Sequence, residues 1–255
     1  VERRYPVLSS ALLAGASQQL RNMASAGGNL LQRTRCAYFY DITTPCNKRE
    51  PGSGCSAIDG HNRMNAILGT SEACIAVHPS DMCVALSVLE ANVHVMGSRG
   101  ERVIAIGEFH RLPADTPQRD TNLDADELVT SIELPPRGFA TNYTYLKIRD
   151  RLSYAFALVS VAVGLELEGG VIKEARFALG GVAHKPWRYT QAEAALRGRA
   201  ASEATFAQAA DLVLSEAKGF GHNTFKIDLA RRAIVRGLSQ AARGTPQSQS
   251  SKKIA

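Results

Sequence analysis

With 255 residues, 45% hydrophobic and 21% charged, the chain has ordinary globular composition: long enough for one large domain or two small ones, and unlike a disordered or coiled-coil chain. Its formal charge of +6 comes from 30 Lys and Arg against 24 Asp and Glu, scattered without interleaved aromatics, which argues against nucleic acid as a partner. The longest nearly apolar run, Ala155 to Leu165, is far short of the roughly 20 residues a membrane span requires, and no charged n-region followed by an apolar h-region opens the chain.

The chain begins Val1-Glu-Arg-Arg-Tyr-Pro and leads straight into a helical pattern, as expected of an internal fragment or a processed product. Leu8, Leu12, Leu13, Ala16, Leu20 and Met23 recur at spacings of three and four and predict one amphipathic helix, with Pro6 at its start. Gly27-Gly28 is read as its end. Paired glycines allow positive φ and bring bare N–H groups close to a phosphate or a ring, although the same pattern is an ordinary C-terminal cap. From Gln32 to Arg63 there is no periodicity, only Pro45, Pro51, Gly52, Gly54 and Gly60. A structureless loop of about 30 residues inside a compact domain needs something other than an apolar core to order it.

Ser80 is a natural N-cap for a second helix carrying Met82, Cys83, Leu86 and Leu89. Val93 to Met96 and Val103 to Ile106, joined over Gly97-Ser-Arg-Gly100, predict a hairpin, and after the polar connection Gly107 to Asp126, Glu127 to Leu134 alternates as a strand. Pro135-Pro136 marks the domain boundary. Thr141 to Ile148, Phe156 to Leu167 and Val171 to Leu179 then read as an antiparallel sheet, followed by helices at Thr190 to Leu196, Ser202 to Lys218 and Asn223 to Ala242. The Ser-, Gln- and Lys-rich tail from Gly244 to Ala255 is expected to be disordered. The expected fold class is α+β: one domain over 1–135 with a cysteine loop at about 32–78, a second of antiparallel sheet plus helices over 136–243, and the tail 244–255.

Four of the five cysteines, Cys36, Cys46, Cys55 and Cys74, fall within 39 residues, separated by nine, eight and eighteen others. Thiolates are the ligands of iron–sulfur centres, and four complete a cubane or a two-iron centre. Close C-x2-C pairs are missing, so structural zinc, disulfides and free buried thiols stay open as alternatives. Buried packing suits Cys83, on a helix face beside Val84 and Leu86, and poorly suits Cys36, Cys46 and Cys55, whose neighbours are Arg35, Asn47 and Gly54. Cys74, in Ala73-Cys-Ile-Ala-Val77, reads equally well as an inward-facing strand residue. His61 and His78, the histidines nearest the cysteines, read as surface or capping residues. Asp81 suits either a flavin or ribityl hydrogen bond or the first turn of its helix, and Lys147 reads as a solvated charge. No P-loop, Gly-x-Ser-x-Gly elbow, catalytic triad or paired-carboxylate site is present, so the sequence offers no substrate-transforming centre of its own.

The segments Gln19-Leu-Arg-Asn-Met-Ala-Ser-Ala-Gly-Gly-Asn-Leu, His78-Pro-Ser-Asp-Met, Leu128-Val-Thr-Ser-Ile-Glu-Leu-Pro, Tyr145-Leu-Lys-Ile-Arg-Asp and Ala178-Leu-Gly-Gly-Val-Ala-His-Lys-Pro-Trp-Arg together resemble the FAD-binding medium subunit of molybdenum hydroxylases, the xanthine dehydrogenase and carbon monoxide dehydrogenase group. Arg33-Thr-Arg-Cys, Pro45-Cys-Asn-Lys-Arg, Gly52-Ser-Gly-Cys and Ser71-Glu-Ala-Cys resemble the periplasmic aldehyde oxidoreductase branch, whose inserted loop binds a 4Fe-4S cluster. The resemblance spans about Arg4 to Ala242. It implies Cys36, Cys46, Cys55 and Cys74 as cluster ligands, and Ser25, Gly27, Gly28, Asn29, Asp81, Leu128, Val129 and Lys147 as FAD contacts. It further implies an electron-transfer subunit working with a molybdenum-cofactor large subunit, a 2Fe-2S small subunit and an external electron acceptor in aldehyde oxidation. A periplasmic location follows by export with a partner that carries the signal, with the cytoplasm as the alternative. The family's first subdomain, whose Gly-Gly-Thr-Asn type of loop holds the FAD pyrophosphate, has no counterpart in these residues, so a fragment is expected, supplying the other flavin wall. The rival expectations are a zinc-stabilised assembly module without redox activity and a stand-alone flavin oxidase.

Overall fold

Helix 81–89 is buried along its whole length and joins the two halves of the protein, whose computed structural model describes residues 1–136 and 138–244. Ahead of it, the single helix expected from Leu8 to Met23 is two. Pro6–Ala14 (α1) stops at Gly15, and Ala16 takes a left-handed φ of 49° before Ser17 caps Gln18–Met23 (α2) by accepting from the Leu20 N–H at 3.3 Å. The apolar spacing continues across the break but serves different surfaces. α1 buries Val7, Leu8, Ala11 and Ala14, whereas no residue of α2 is buried and Met23 is 87% exposed.

Gly27-Gly28 does not end a helix, as expected from sequence, but lies in one. The hydroxyl of Ser25 accepts from the Gly28 N–H at 3.0 Å and starts the short helix Ala26–Leu30 (α3), with neither glycine at positive φ. The loop that follows is irregular as expected, interrupted by single helical turns at Ala37–Tyr40 (α4) and Ser56–Asp59 (α5).

Ser80 caps Asp81–Leu89 (α6) through the Cys83 N–H at 3.2 Å. Asn92–Gly97 (β1) and Gly100–Ala105 (β2) form the expected hairpin, and a turn at Ile106–Phe109 (α7) leads on to Leu128–Glu133 (β3), which pairs with the other edge of β1. The second sheet is antiparallel in the order Tyr143–Ile148 (β4), Val159–Glu168 (β5), Val171–Gly180 (β6) and Trp187–Arg188 (β7). The last strand is two residues long and leaves no pattern in the sequence. Thr190–Leu196 (α8), Glu203–Val213 (α9) and Phe225–Ala242 (α10) complete the fold. The tail expected to be disordered lies, apart from Gly244, outside the described residues.

β5 is a nearly unbroken apolar run because helices cover both its faces. Val159, Val161, Val163 and Leu165 point into a core shared with α8, α9 and α10, while Ala162 points into a core shared with α1, α6 and β1. Full burial of Val, Leu, Ile or Phe is worth about 1.5–3 kcal/mol per side chain, so each half has a core of its own. Gly237 lets α10 press on β5, since a Cβ there would meet Val161 and Val163 at 3.4 Å.

Candidate cofactor sites

Two groups of side chains converge on the N-terminal side of α6. The first starts at its first residue. Asp81, 8% exposed, accepts from the Tyr145 hydroxyl at 2.5 Å through Oδ1 and from Lys147 Nζ at 2.7 Å through Oδ2. Lys147 is not the solvated charge its sequence setting suggests. It is 7% exposed, and its ammonium also donates to the Ala14 carbonyl at 3.1 Å. Burial pulls its pKa down and the Asp81 carboxylate opposes that shift; burial likewise pushes the Tyr145 hydroxyl well up. Tyr145 and Lys147 reach Asp81 together because alternate residues of β4 share a face.

Ser80 donates from its hydroxyl to Asn29 Oδ1 at 2.8 Å, which ties the start of α6 to α3. Ser25 and Gly28 are exposed, and a Cβ on Gly27 would meet nothing within 4 Å, so this turn presents open backbone. α3 packs against β3, where Leu128 is 74% exposed and Val129 is half-buried against the first core. The Ser80–Asn29 bond thus sets the turn from Ser25 to Asn29 beside the start of α6, where Asp81 meets Lys147, and α3 in turn packs on β3.

The second group is the cysteine loop. Cys36, Cys46, Cys55 and Cys74 all line one pocket, together with Lys48, Asn65, Tyr38 and Phe39, and all four are free thiols. Cys46 and Cys55 face each other across an isolated antiparallel bridge. The Asn47 side chain holds the turn between them: Oδ1 accepts from the Gly52 and Gly54 N–H groups at 3.1 and 2.9 Å, and Nδ2 donates to the Ala73 carbonyl at 3.0 Å. Gly52 and Gly54, at φ 88° and 102°, occupy backbone that side-chain residues rarely adopt. Asn47 therefore couples Cys46 and Cys55 to the segment carrying Cys74.

Backbone and side-chain amides point at the sulfurs. Ala76 N–H donates to Cys74 Sγ at 3.4 Å and Asn65 Nδ2 to Cys36 Sγ at 3.5 Å, while the N–H groups of Ala57, Ile75 and Ile58 face Cys55. Burial pushes the Cys74 thiol up to about 12 and raises Cys55, and neighbouring cysteines add to both shifts. The amides and Lys48 act in the opposite sense. Neutral thiols are weak acceptors, so amides converging on sulfur fit metal-bound thiolates. Among the described residues no three of these four sulfurs lie within 4.8 Å of one another. A single tetrahedral zinc, with Zn–S about 2.3 Å, would draw them to about 3.8 Å. Four thiols lining one pocket, with amides directed at sulfur, are a donor set that could hold a thiolate-bound metal centre.

Lys48 and Asn65 were missed in the sequence. Lys48 is 2% exposed, ion-paired to Asp120, and donates to the Pro117 carbonyl at 2.7 Å; its only sequence signal is its place two residues after Cys46. A cleft of about 130 Å³ adjoins both groups, its wall including Cys36, Asn65, His78, Ser80, Asp81 and Phe156.

Residues 1–137 match the model of the FAD binding domain in molybdopterin dehydrogenase, and residues 143–241 that of the CO dehydrogenase flavoprotein C-terminal domain. The chain belongs to the FAD-binding subunits of the molybdenum hydroxylases. The aldehyde oxidoreductase FAD-binding subunit PaoB of Escherichia coli K12 is 50% identical over 242 residues, spanning 94% of this chain and 73% of that protein. The glyceraldehyde dehydrogenase medium chain of Sulfolobus acidocaldarius is 36% identical over 121 residues, 47% of this chain and 40% of that one. CO dehydrogenase from Oligotropha carboxidovorans has the same fold, with a TM-score of 0.69 at 20% identity over 96% of this chain and 70% of that one. The α+β expectation and the family resemblance are both borne out. Membership makes this an oxidoreductase subunit with a FAD-binding domain. No helix among the described residues is long and apolar enough to cross a membrane.

Proposed function

We propose that this chain is the electron-transfer subunit of a molybdenum-containing aldehyde oxidoreductase and that it carries a 4Fe-4S cluster beside FAD. The half-identical relative is an aldehyde oxidoreductase subunit, which supports the aldehyde as substrate class. The cluster rests on one observation: four free cysteines line a single pocket and amides converge on their sulfurs.

Cys36, Cys46, Cys55 and Cys74 would hold the cluster, while Ser25, Gly27, Gly28, Asn29, Asp81, Leu128, Val129 and Lys147 would wall the flavin. When bound, the two groups supply one- and two-electron storage between a substrate-oxidising subunit and an external acceptor. The protein's own part is placement and electrostatics. Asn47 fixes the spacing of Cys46, Cys55 and Cys74, the amides and Lys48 favour added negative charge at sulfur, and the Asp81–Lys147 pair holds α6 to α1 and β4 at the flavin wall. The partners would be a molybdenum-cofactor large subunit and a 2Fe-2S small subunit, and the location the periplasm.

Anaerobic purification of the chain with its partner subunits tests this. About four iron and four acid-labile sulfide per complex beyond those of the 2Fe-2S subunit, with stoichiometric flavin and aldehyde turnover that needs the molybdenum subunit, is the expected result. Zinc bound to the complex, with no iron beyond that of the 2Fe-2S subunit, would overturn the cluster; turnover without the molybdenum partner would overturn the electron-transfer role.

A further inference from the structure

His78, Cys83 and His110 are far apart in the pattern of the sequence, and the fold brings them together beneath the cleft. One ligand atom from each lies within 4.8 Å of the others, a grouping separate from the four loop cysteines. Cys83 sits on α6 with no exposed surface, and His110, 2% exposed, follows α7. His110 Nε2 lies 2.9 Å from the Leu30 carbonyl. A carbonyl only accepts, so Nε2 carries the ring proton and Nδ1 presents its lone pair.

That Nδ1 is buried without a hydrogen-bond partner, and so is Nε2 of His78. The two rings stand 4.2 Å apart at 47°. Buried polar atoms are nearly always partnered, because leaving one unsatisfied costs about 1–3 kcal/mol. Two orphaned imidazole nitrogens beside one buried sulfur are the donor set of a metal site. The bond from His110 to a backbone carbonyl is the arrangement that fixes the tautomer of a metal-bound imidazole.

We propose that His78, Cys83 and His110 form a three-coordinate site for a soft d10 cation, Cu(I) in preference to Zn²⁺. Thiolate is a soft ligand that selects Cu(I), whereas structural zinc almost always takes four ligands. Charge points the same way. Cu(I) with one thiolate and two neutral imidazoles is neutral, while Zn²⁺ would leave a buried positive charge. The charges facing the site from neighbouring elements give that charge no free counterion: Lys48 faces His78 and Lys185 faces His110, Asp120 is ion-paired to Lys48, and Asp81, beside Cys83, is ion-paired to Lys147. Binding replaces the Cys83 S–H bond with S–Cu and releases one proton to solvent. No electron moves.

The test is anaerobic competition between the purified subunit complex and a chromophoric Cu(I) chelator, comparing wild type with Cys83→Ala and His78→Ala. Loop thiols are common to all three and cancel in the difference, and iron content read in the same samples tells failure here from failure of the cluster reading. Wild type is expected to take up one more equivalent of Cu(I) than Cys83→Ala, with affinity about tenfold or more above that of His78→Ala. X-ray absorption at the copper edge should show one sulfur and two nitrogens for that equivalent. Equal uptake by wild type and Cys83→Ala, a shell without two nitrogens, or tighter Zn²⁺ than Cu(I) binding in the same difference would overturn the proposal. His78 lies on a loop, so His78→Ala keeps the comparison valid should Cys83→Ala fail to fold.

Discussion

Lys147 Nζ and Asp81 Oδ2, 66 residues apart in the chain, meet at 2.7 Å in the interior, where β4 passes the first turn of α6. Each is the other's counterion, and the Tyr145 hydroxyl and the Ala14 carbonyl complete their hydrogen bonding. Lys147→Met leaves the carboxylate buried without its cation and is expected to cost about 3–5 kcal/mol in chemical denaturation, with loss of flavin from the purified complex. Adding Asp81→Asn should recover part of the loss, because the uncompensated charge is then gone. A double mutant costing the full sum of the singles would mean that the two residues act independently.

Lys226 gives stability a pH dependence of definite sign. Its side chain is fully buried and donates to the carbonyls of Met64, Asn65 and Gly181, and burial, with the Arg63 charge adding to it, brings its pKa from 10.5 down to about 7. Between those values the unfolded chain holds a proton that the folded chain has released. Unfolding free energy should therefore rise with pH above 7, by up to about 1.4 kcal/mol per pH unit from this group. Denaturation midpoints at pH 7 and 9 check this, and Lys226→Met should flatten the difference.

Asn47 makes three hydrogen bonds that no other side chain in the loop replaces. Asn47→Ala strands the Gly52 and Gly54 N–H groups and the Ala73 carbonyl, at about 1 kcal/mol each for exposed or half-buried groups. Global stability should fall modestly, whereas cluster loss in air, followed by visible absorbance, should accelerate sharply. Unchanged cluster lifetime would separate Asn47 from the cysteines it bridges.

Lys48 is the buried cation at the cysteine pocket, and its field acts on the Cys74 sulfur. A positive charge favours the more reduced, more negative state, so Lys48→Met should lower the cluster's reduction potential in a potentiometric titration. Lys48→Arg should keep most of it.

How far the sequence was readable followed from how local each determinant is. Ser80 as a cap, the hairpin over Gly97 to Gly100 and the helix from Thr190 to Leu196 depend on neighbours in the chain, and the structure has them close to where the pattern predicts. The break at Gly15–Ala16 is hidden because the apolar period runs through it, although only α1, ahead of the left-handed turn at Ala16, packs on α6 and β4. Gly27-Gly28 has the local pattern of a terminator, whereas the Ser25 cap makes it the start of a helix. Lys48, Lys147 and Lys226 all look like surface charges in sequence. Their partners are carbonyls and carboxylates 45 to 162 residues distant, which no local pattern reveals. The four cysteines were conspicuous as a cluster, but the amides and Asn47 that shape their pocket were visible only in the fold.

Cys74 offers the most direct test, since it joins the loop from a separate segment and completes the four-sulfur set. Anaerobically purified wild-type complex and Cys74→Ser should be compared by iron and sulfide quantitation together with low-temperature EPR of the dithionite-reduced protein. The expected result is a 4Fe-4S signal in reduced wild type that is absent in Cys74→Ser, with less iron in the variant and flavin content unchanged. Equal iron and an identical spectrum in the two proteins would contradict the assignment of Cys36, Cys46, Cys55 and Cys74 as the cluster's ligands.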